Sequence, residues 1–319
     1  MSAMRTATKV ISCGLAALCC LSSAAGAEIQ TGAAFLRIGT GARPEALGGA
    51  YTAAANDVQA MHYNPGGLGL IDQSSKRRAD LGITHTQWLL DSQFDFLGFA
   101  QPTRLGTIGA AVSRLGTGSQ EGRDADRRAS GGFSAADTSV ALGLGRDLGN
   151  GFIGHGNLSV GGAVKYLESR IGSDSASTFA LDLGAMHRLD SLPMSLGLSV
   201  LNLGRGMRFI SQRDPLPLTV AAGAALRLGN ALNLLLDVRR NVYDRTTDVG
   251  AGAEYAVMPA FMVRAGYGSQ SAKAATGSSP LGGLGGGFGI KLGNYRTDYT
   301  FTPFGELGNV QRISLGARF

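Results

Sequence analysis

From about residue 78 onward the chain alternates apolar and polar positions with a period of two. Leu216, Leu218, Val220, Ala222, Ala224, Leu226 and Leu228 share one face, with Thr219, Ala221, Gly223, Ala225 and Arg227 opposite. After a Gly229-Asn230 turn the pattern resumes with Leu232, Leu234, Leu236 and Val238 against Asn233, Asp237 and Arg239. This predicts a β-hairpin with one continuous apolar face. About fourteen such segments can be traced, near 79–89, 92–101, 104–114, 136–147, 157–168, 177–188, 193–202, 216–228, 231–240, 246–256, 260–268, 283–292, 295–302 and 310–319.

Tilted membrane-crossing strands need about 9 to 11 residues, and bacterial outer-membrane barrels use even strand numbers. The expected fold is therefore all-β: a transmembrane antiparallel β-barrel of about 14 strands over residues 76–319. The connections agree. Gln101-Pro102-Thr103, Gly229-Asn230, Val257-Met258-Pro259 and Gly293-Asn294 are tight, whereas those near 115–135, 203–215 and 269–282 are long and follow odd-numbered strands. A soluble β-sandwich needs no such two-sided sorting of loop length. Parity places Lys165, Asp182, Asp237, Arg239, Arg264, Arg296 and Asp298 on the lumen face, where unpaired charge is costly and cross-strand pairing is expected. By the same parity Leu167, Leu235 and Met262 point inward.

The N-terminus changes the picture of where the chain works. Arg5 and Lys9 precede an apolar run, Val10 to Leu21, followed by small residues ending in Ala25-Gly26-Ala27. That order predicts a signal peptide over 1–27, cleaved near Ala27; the run is too short to span a bilayer. Cys13, Cys19 and Cys20 all lie inside it, so the mature chain would carry no disulfide or cysteine site. Cleavage leaves 27 of the 29 Lys and Arg against 23 Asp and Glu, a net charge of +4. This mild, dispersed excess gives no reason to expect nucleic acid, and the Lys76-Arg77-Arg78 cluster reads as a solvated element start.

Residues 33–72 do not alternate. Asn56-Asp57-Val58-Gln59 predicts a helix start, with Asn56 as N-cap and Gln59 in the capping-box position. The helix is expected to run to Tyr63 and to be stopped by Asn64-Pro65-Gly66-Gly67.

Catalytic and cofactor chemistry finds little support. His62, His85, His155 and His187 are scattered, without metal-ligand spacing. Gly282 to Gly289 has glycine spacings like those of a dinucleotide loop, but no helix is predicted after it. No G-x-S-x-G elbow is present, and Glu121, Asp124 and Asp126 are interleaved with arginines, as in a solvated loop. A non-enzyme without cofactor or metal is expected.

Three stretches carry a resemblance: Phe35 to Arg43, Leu47 to Ala53, and Asn56-Asp57 with Asn64-Pro65-Gly66-Gly67-Leu68. Together they closely resemble the N-terminal region of the PorV/PorQ family of outer-membrane proteins, a branch of the FadL-like fourteen-stranded barrels. The resemblance implies that residues 28–75 fold into the lumen as a plug or hatch, with Asn56, Asp57, Asn64, Pro65, Gly66 and Gly67 as its motif. It also implies that the terminal Phe319 is the end recognised by the barrel-assembly machinery. The expected role is secretion or transport across the outer membrane, as an accessory or docking protein for secreted proteins or secretion components. The alternative is a FadL-like channel for a small hydrophobic molecule. Outer-membrane lipid is the expected surround.

Overall fold

The computed structural model describes residues 31–71, 78–118, 120–123, 129–150, 156–190, 192–209, 212–274 and 282–319. The expected signal segment with its cysteines, and Lys76, Arg77, Asp124, Asp126 and His155, lie outside the described residues.

Fourteen antiparallel strands close into a barrel. In chain order they are β1 Asp80–Gln87, β2 Gln93–Pro102, β3 Thr107–Gly116, β4 Ala135–Asn150, β5 Gly156–Ile171, β6 Asp174–Leu189 and β7 Met194–Gly204. The second half comprises β8 Thr219–Leu228, β9 Leu232–Asn241, β10 Thr246–Met258, β11 Phe261–Gly268, β12 Leu284–Leu292, β13 Tyr295–Pro303 and β14 Asn309–Arg318. The ring closes where β1 meets β14, with Asp80 opposite Arg318 and Gln87 opposite Gln311. Closure leaves no strand edge with unpaired backbone groups, the condition for a sheet to stand in hydrocarbon.

The period-two pattern becomes an inside and an outside. Leu142, Phe179 and Leu198 point outward and are 65%, 64% and 62% exposed, whereas inward Lys165, Asp182 and Arg264 are buried. Apolar area costs about 25 cal/mol per Å² when left in water, so a continuous outer belt of this kind is stable only against lipid. No described helix is long and apolar enough to cross a membrane, and the strands make the crossing.

The two ends of the barrel differ. The turn end has short connections after β2, β8, β10 and β12. The loop end carries a small hairpin, Gln120–Arg123 with Ala129–Phe133, then a second, Met207–Phe209 with Gln212–Asp214, and a short helix Ser269–Ala274. Several boundaries differ from the sequence pattern, two places most clearly. β5 and β6 run on to a two-residue turn at Gly172-Ser173, where Gly172 takes φ 58°. β8 starts at Thr219 rather than 216, because Pro215 and Pro217 have no N–H to give a ladder. Leu216 is accordingly buried beside Phe35 and Met207 instead of facing lipid.

Residues 31–71 lie inside the barrel as short helical pieces: Ala34–Arg37, Ala42–Ala46, Ala60–Tyr63 and Pro65–Leu70. They form two apolar clusters. One joins Leu47, Tyr51, Val58, Met61 and Leu68 to Phe96, Ala141 and Met186 of the wall, and the other joins Phe35 and Leu36 to Phe94, Leu167 and Leu216 nearer the loop end. Leu167 and Leu235 thus face packed plug rather than open lumen.

The predicted helix is shorter than its pattern. Only Ala60–Tyr63 is α-helical, and Asn56 does not cap it. Asp57 Oδ1 accepts the Gln59 backbone N–H at 3.0 Å, while Gln59 Oε1 accepts the Thr40 hydroxyl at 2.7 Å, so the capping-box side chain is engaged elsewhere. The Asn56 carbonyl accepts Arg318 Nη2 at 2.9 Å from the barrel wall.

Candidate functional site

The plug is seated by a turn and by ion pairs. At the turn, Asn64 is fully buried; its Oδ1 accepts the Gly66 N–H at 3.0 Å, while its Nδ2 donates to the Thr52 carbonyl at 2.8 Å and to the Ala185 carbonyl of β6 at 3.0 Å. Ser159 of β5 donates to the Gly66 carbonyl at 2.6 Å. The backbones touch here: a Cβ on Gly66 would lie 2.8 Å from Ala185 Cα, and one on Gly184 would overlap Asn64 Oδ1. Pro65 opens the short 3-10 helix Pro65–Leu70 that follows, and Gly67 packs against the Ala55 carbonyl.

Around the turn end the plug is tied to the wall by alternating charges. Arg43 grips Glu254 through Nε at 2.8 Å and Nη2 at 3.0 Å; Arg264 donates to the same carboxylate at 2.7 Å and to Asp298 at 2.7 Å. Tyr51 bridges the halves, accepting from Arg43 at 2.9 Å and donating to Asp57 at 3.0 Å. Arg296 lies 3.3 Å from Asp57 and 3.2 Å from Asp80, and Arg318 donates to Asp80 at 3.0 and 3.1 Å. Arg43 and Arg264 share Glu254, Arg296 and Arg318 share Asp80, and Tyr51 links the two halves, so the desolvated charges are neutralised as a network.

Nearer the middle, Asp237 accepts the backbone N–H groups of Tyr51 at 2.9 Å and Thr52 at 2.8 Å. Lys165 pairs with Asp182 at 2.6 Å and donates to Asn202 at 2.9 Å, and Asp182 accepts the Asn202 N–H at 2.7 Å. His62 of the plug is held neutral: burial, with Lys165 and Arg239 nearby, lowers its pKa from 6.5 to about 3. Burial likewise pushes the Tyr51 hydroxyl well above its ordinary range.

The sequence-selected charges therefore divide. Arg264 and Asp298 meet each other, Lys165 meets Asp182, Arg296 meets plug Asp57, and Asp237 caps plug backbone. Arg239 lies against Gly49, and its Nε has no hydrogen-bond partner among the described residues. Phe319 ends the chain, paired through its backbone with Ala79. Sequence reasoning missed Arg43, Glu45, Tyr51, Asp80 and Glu254. Parity could have placed Glu254 on the inner face, but nothing in the pattern shows which plug residue meets it.

Toward the loop end the packing opens into a cavity of about 320 Å³ between the first plug turns and the wall. Phe35 and Ile38 line it from the plug, and Trp88, Leu115 and Phe304 from the barrel, with Trp88 and Phe304 edge-to-face at 5.7 Å. Its polar edge is Arg37, Glu45, Arg239, Gln270, Ser271 and Thr302. Thr302 is 4% exposed and its hydroxyl has no hydrogen-bond partner among the described residues. Buried Arg312 stacks 5.2 Å from the Trp88 ring centre and lies 3.3 Å from Glu45. At the turn end two further cavities, of about 270 and 260 Å³, share plug residues Arg43 and Asn56 in their lining. No group of acidic, His or Cys side chains suited to a metal occurs among the described residues.

Solved structures of similar shape include a monoaromatic hydrocarbon channel and toluene transporters. The Pseudomonas putida toluene transporter TodX aligns with a TM-score of 0.57 at 11% identity over 88% of this chain and 96% of its own. The Ralstonia pickettii toluene transporter TbuX gives 0.55 at 14% identity over 88% and 98%. A Pseudomonas aeruginosa FadL homologue gives 0.54 at 11% over 88% and 98%. At these identities the likeness establishes a FadL-like barrel fold. No curated protein sequence matches the chain. The model of an uncharacterised protein family, UPF0164, matches residues 6–184, more than half of the chain, and the chain therefore belongs to that family.

Proposed function

We propose that this protein is a non-enzymatic outer-membrane channel that binds and passes a small, largely hydrophobic molecule. One observation carries the reading: the 320 Å³ cavity at the loop end, where Phe35, Ile38, Trp88, Leu115 and Phe304 face a polar edge that includes Arg37, Glu45 and Arg239. An aromatic and aliphatic lining with a few convergent polar groups is the usual setting for a small, largely hydrophobic molecule. The barrel shape shared with hydrocarbon and toluene transporters supports the same reading. In this view the plug, residues 31–71, is the barrier between the outer cavity and the turn-end cavities, which face the periplasm.

A docking role of the PorV/PorQ type is the second reading. The two loop-end hairpins favour it, since each is a two-stranded pair outside the barrel sheet and offers backbone edges to another protein. The comparisons favour passage.

Trp88 is the chain's one tryptophan and lines the cavity, so its emission reports on occupancy. Titration of the purified barrel with toluene and with octanol should shift that emission saturably. Vesicles containing the protein should take up the bound probe faster than empty ones. An emission that never saturates, together with uptake equal to that of empty vesicles, would sink the channel reading.

A further inference from the structure

The lipid-facing wall carries one feature that passage does not use. On β4, Leu142, Leu144, Arg146 and Leu148 alternate outward and all are exposed. Arg146 thus stands within the apolar belt, and no side-chain partner of it is found among the described residues. Its row runs across the wall through Val160 of β5, Ala185 of β6 and Leu198 of β7. Beside it lies an open trough of about 680 Å³, walled by Leu144, Leu183, Leu198 and Val220, with Arg146 as the only charge in its lining. The trough exists because small residues, Gly162 and Ala185, occupy outward positions between larger ones.

The depth of Arg146 decides what it meets. On β5 the outward apolar run extends from Leu158 to Tyr166, beyond which come Glu168 and Arg170. Tyr166 packs against Phe179 at 5.4 Å and marks the loop-end border. Arg146 pairs with Val160, one outward position inside Leu158 and so close to the opposite, turn-end border. An outward arginine is costly at mid-bilayer and nearly free at the interface, where its fork can reach phosphate.

We propose that this trough is a phospholipid site: one lipid of the periplasmic leaflet lays an acyl chain between Leu144 and Leu198 and sets its phosphate on Arg146. Charge complementarity selects this occupant. A second copy docked through the same face would bring more leucine and another arginine, but no anion.

Native mass spectrometry of the full-length protein tests it with three probes: phosphatidylglycerol, diacylglycerol, which lacks the phosphate, and inorganic phosphate, which lacks the chain. One phosphatidylglycerol should be retained per barrel, about fivefold above diacylglycerol, an advantage that Arg146→Gln removes. Ala185→Phe, which fills the trough, should lower retention of both lipids, and both variants should keep the heat-dependent gel mobility of a folded barrel. Lipid retention unchanged in Arg146→Gln overturns the proposal. So does displacement of the lipid by inorganic phosphate, which would make Arg146 a free-anion site, or a lipid-free dimer that Ala185→Phe dissociates.

Discussion

Asn64 of the plug and Ala185 of the barrel wall are joined by a hydrogen bond of 3.0 Å, from side-chain Nδ2 to backbone carbonyl, across 121 residues of sequence. The same side chain also accepts the Gly66 N–H, so one residue both shapes the turn and fastens it to β6. That coupling makes the seat of the plug testable by small changes.

Asn64→Ala should loosen the plug and leave the barrel standing. It strands the Thr52 and Ala185 carbonyls and the Gly66 N–H in a buried place, a cost of about 2 to 4 kcal/mol. Hydrogen exchange read by peptide should rise across residues 50–70 while strand peptides keep their protection. Equal protection in both proteins would show that the turn is held by packing alone.

Glu254→Gln leaves Arg43 and Arg264 sharing a neutral partner. Removing one member of a buried ion network typically costs about 3 to 5 kcal/mol. In planar bilayers the variant should show larger and more frequent conductance events than the parent. Adding Arg43→Met should recover part of the lost thermal stability, whereas strictly additive losses would mean the two residues are not coupled.

A crosslink can ask whether the plug must move. A Cβ built on Gly32 lies 3.3 Å from Asp214 Cβ, close to the spacing of a disulfide, and all three native cysteines fall within residues 1–27. With cysteines at 32 and 214, oxidation should slow probe uptake and dithiothreitol should restore it. Uptake indifferent to oxidation would place the route elsewhere.

His62 predicts an acid weakness. Its folded pKa, about 3, lies below the ordinary 6.5, so the neutral ring contributes stability in full above pH 6.5 and loses it as pH falls toward 3. Proteolysis of the plug should therefore quicken through that window, and His62→Phe should flatten the part of the profile that belongs to this ring. A variant profile identical to the parent's would assign the acid sensitivity to carboxylates.

Much of the barrel was determined by the sequence itself. Period-two alternation is a local property, and Leu232, Leu234 and Leu236 fall on one face however the strand pairs. The number of strands, their inward charges and the long connections at 115–135, 203–215 and 269–282 could therefore be read without coordinates. Only the tertiary structure decided what those charges do. Asp182 finds Lys165 on the next strand, which register alone could suggest, but Arg296 finds Asp57 and Glu254 finds Arg43 on a segment without periodicity. The same long-range contacts shortened the predicted helix, since Gln59 and Asp57 satisfy plug and wall groups before they serve a helix end. The loop-end cavity and the trough beside Arg146 come from side chains of several strands meeting, or failing to meet, in space, and alternation along one strand carries no record of that.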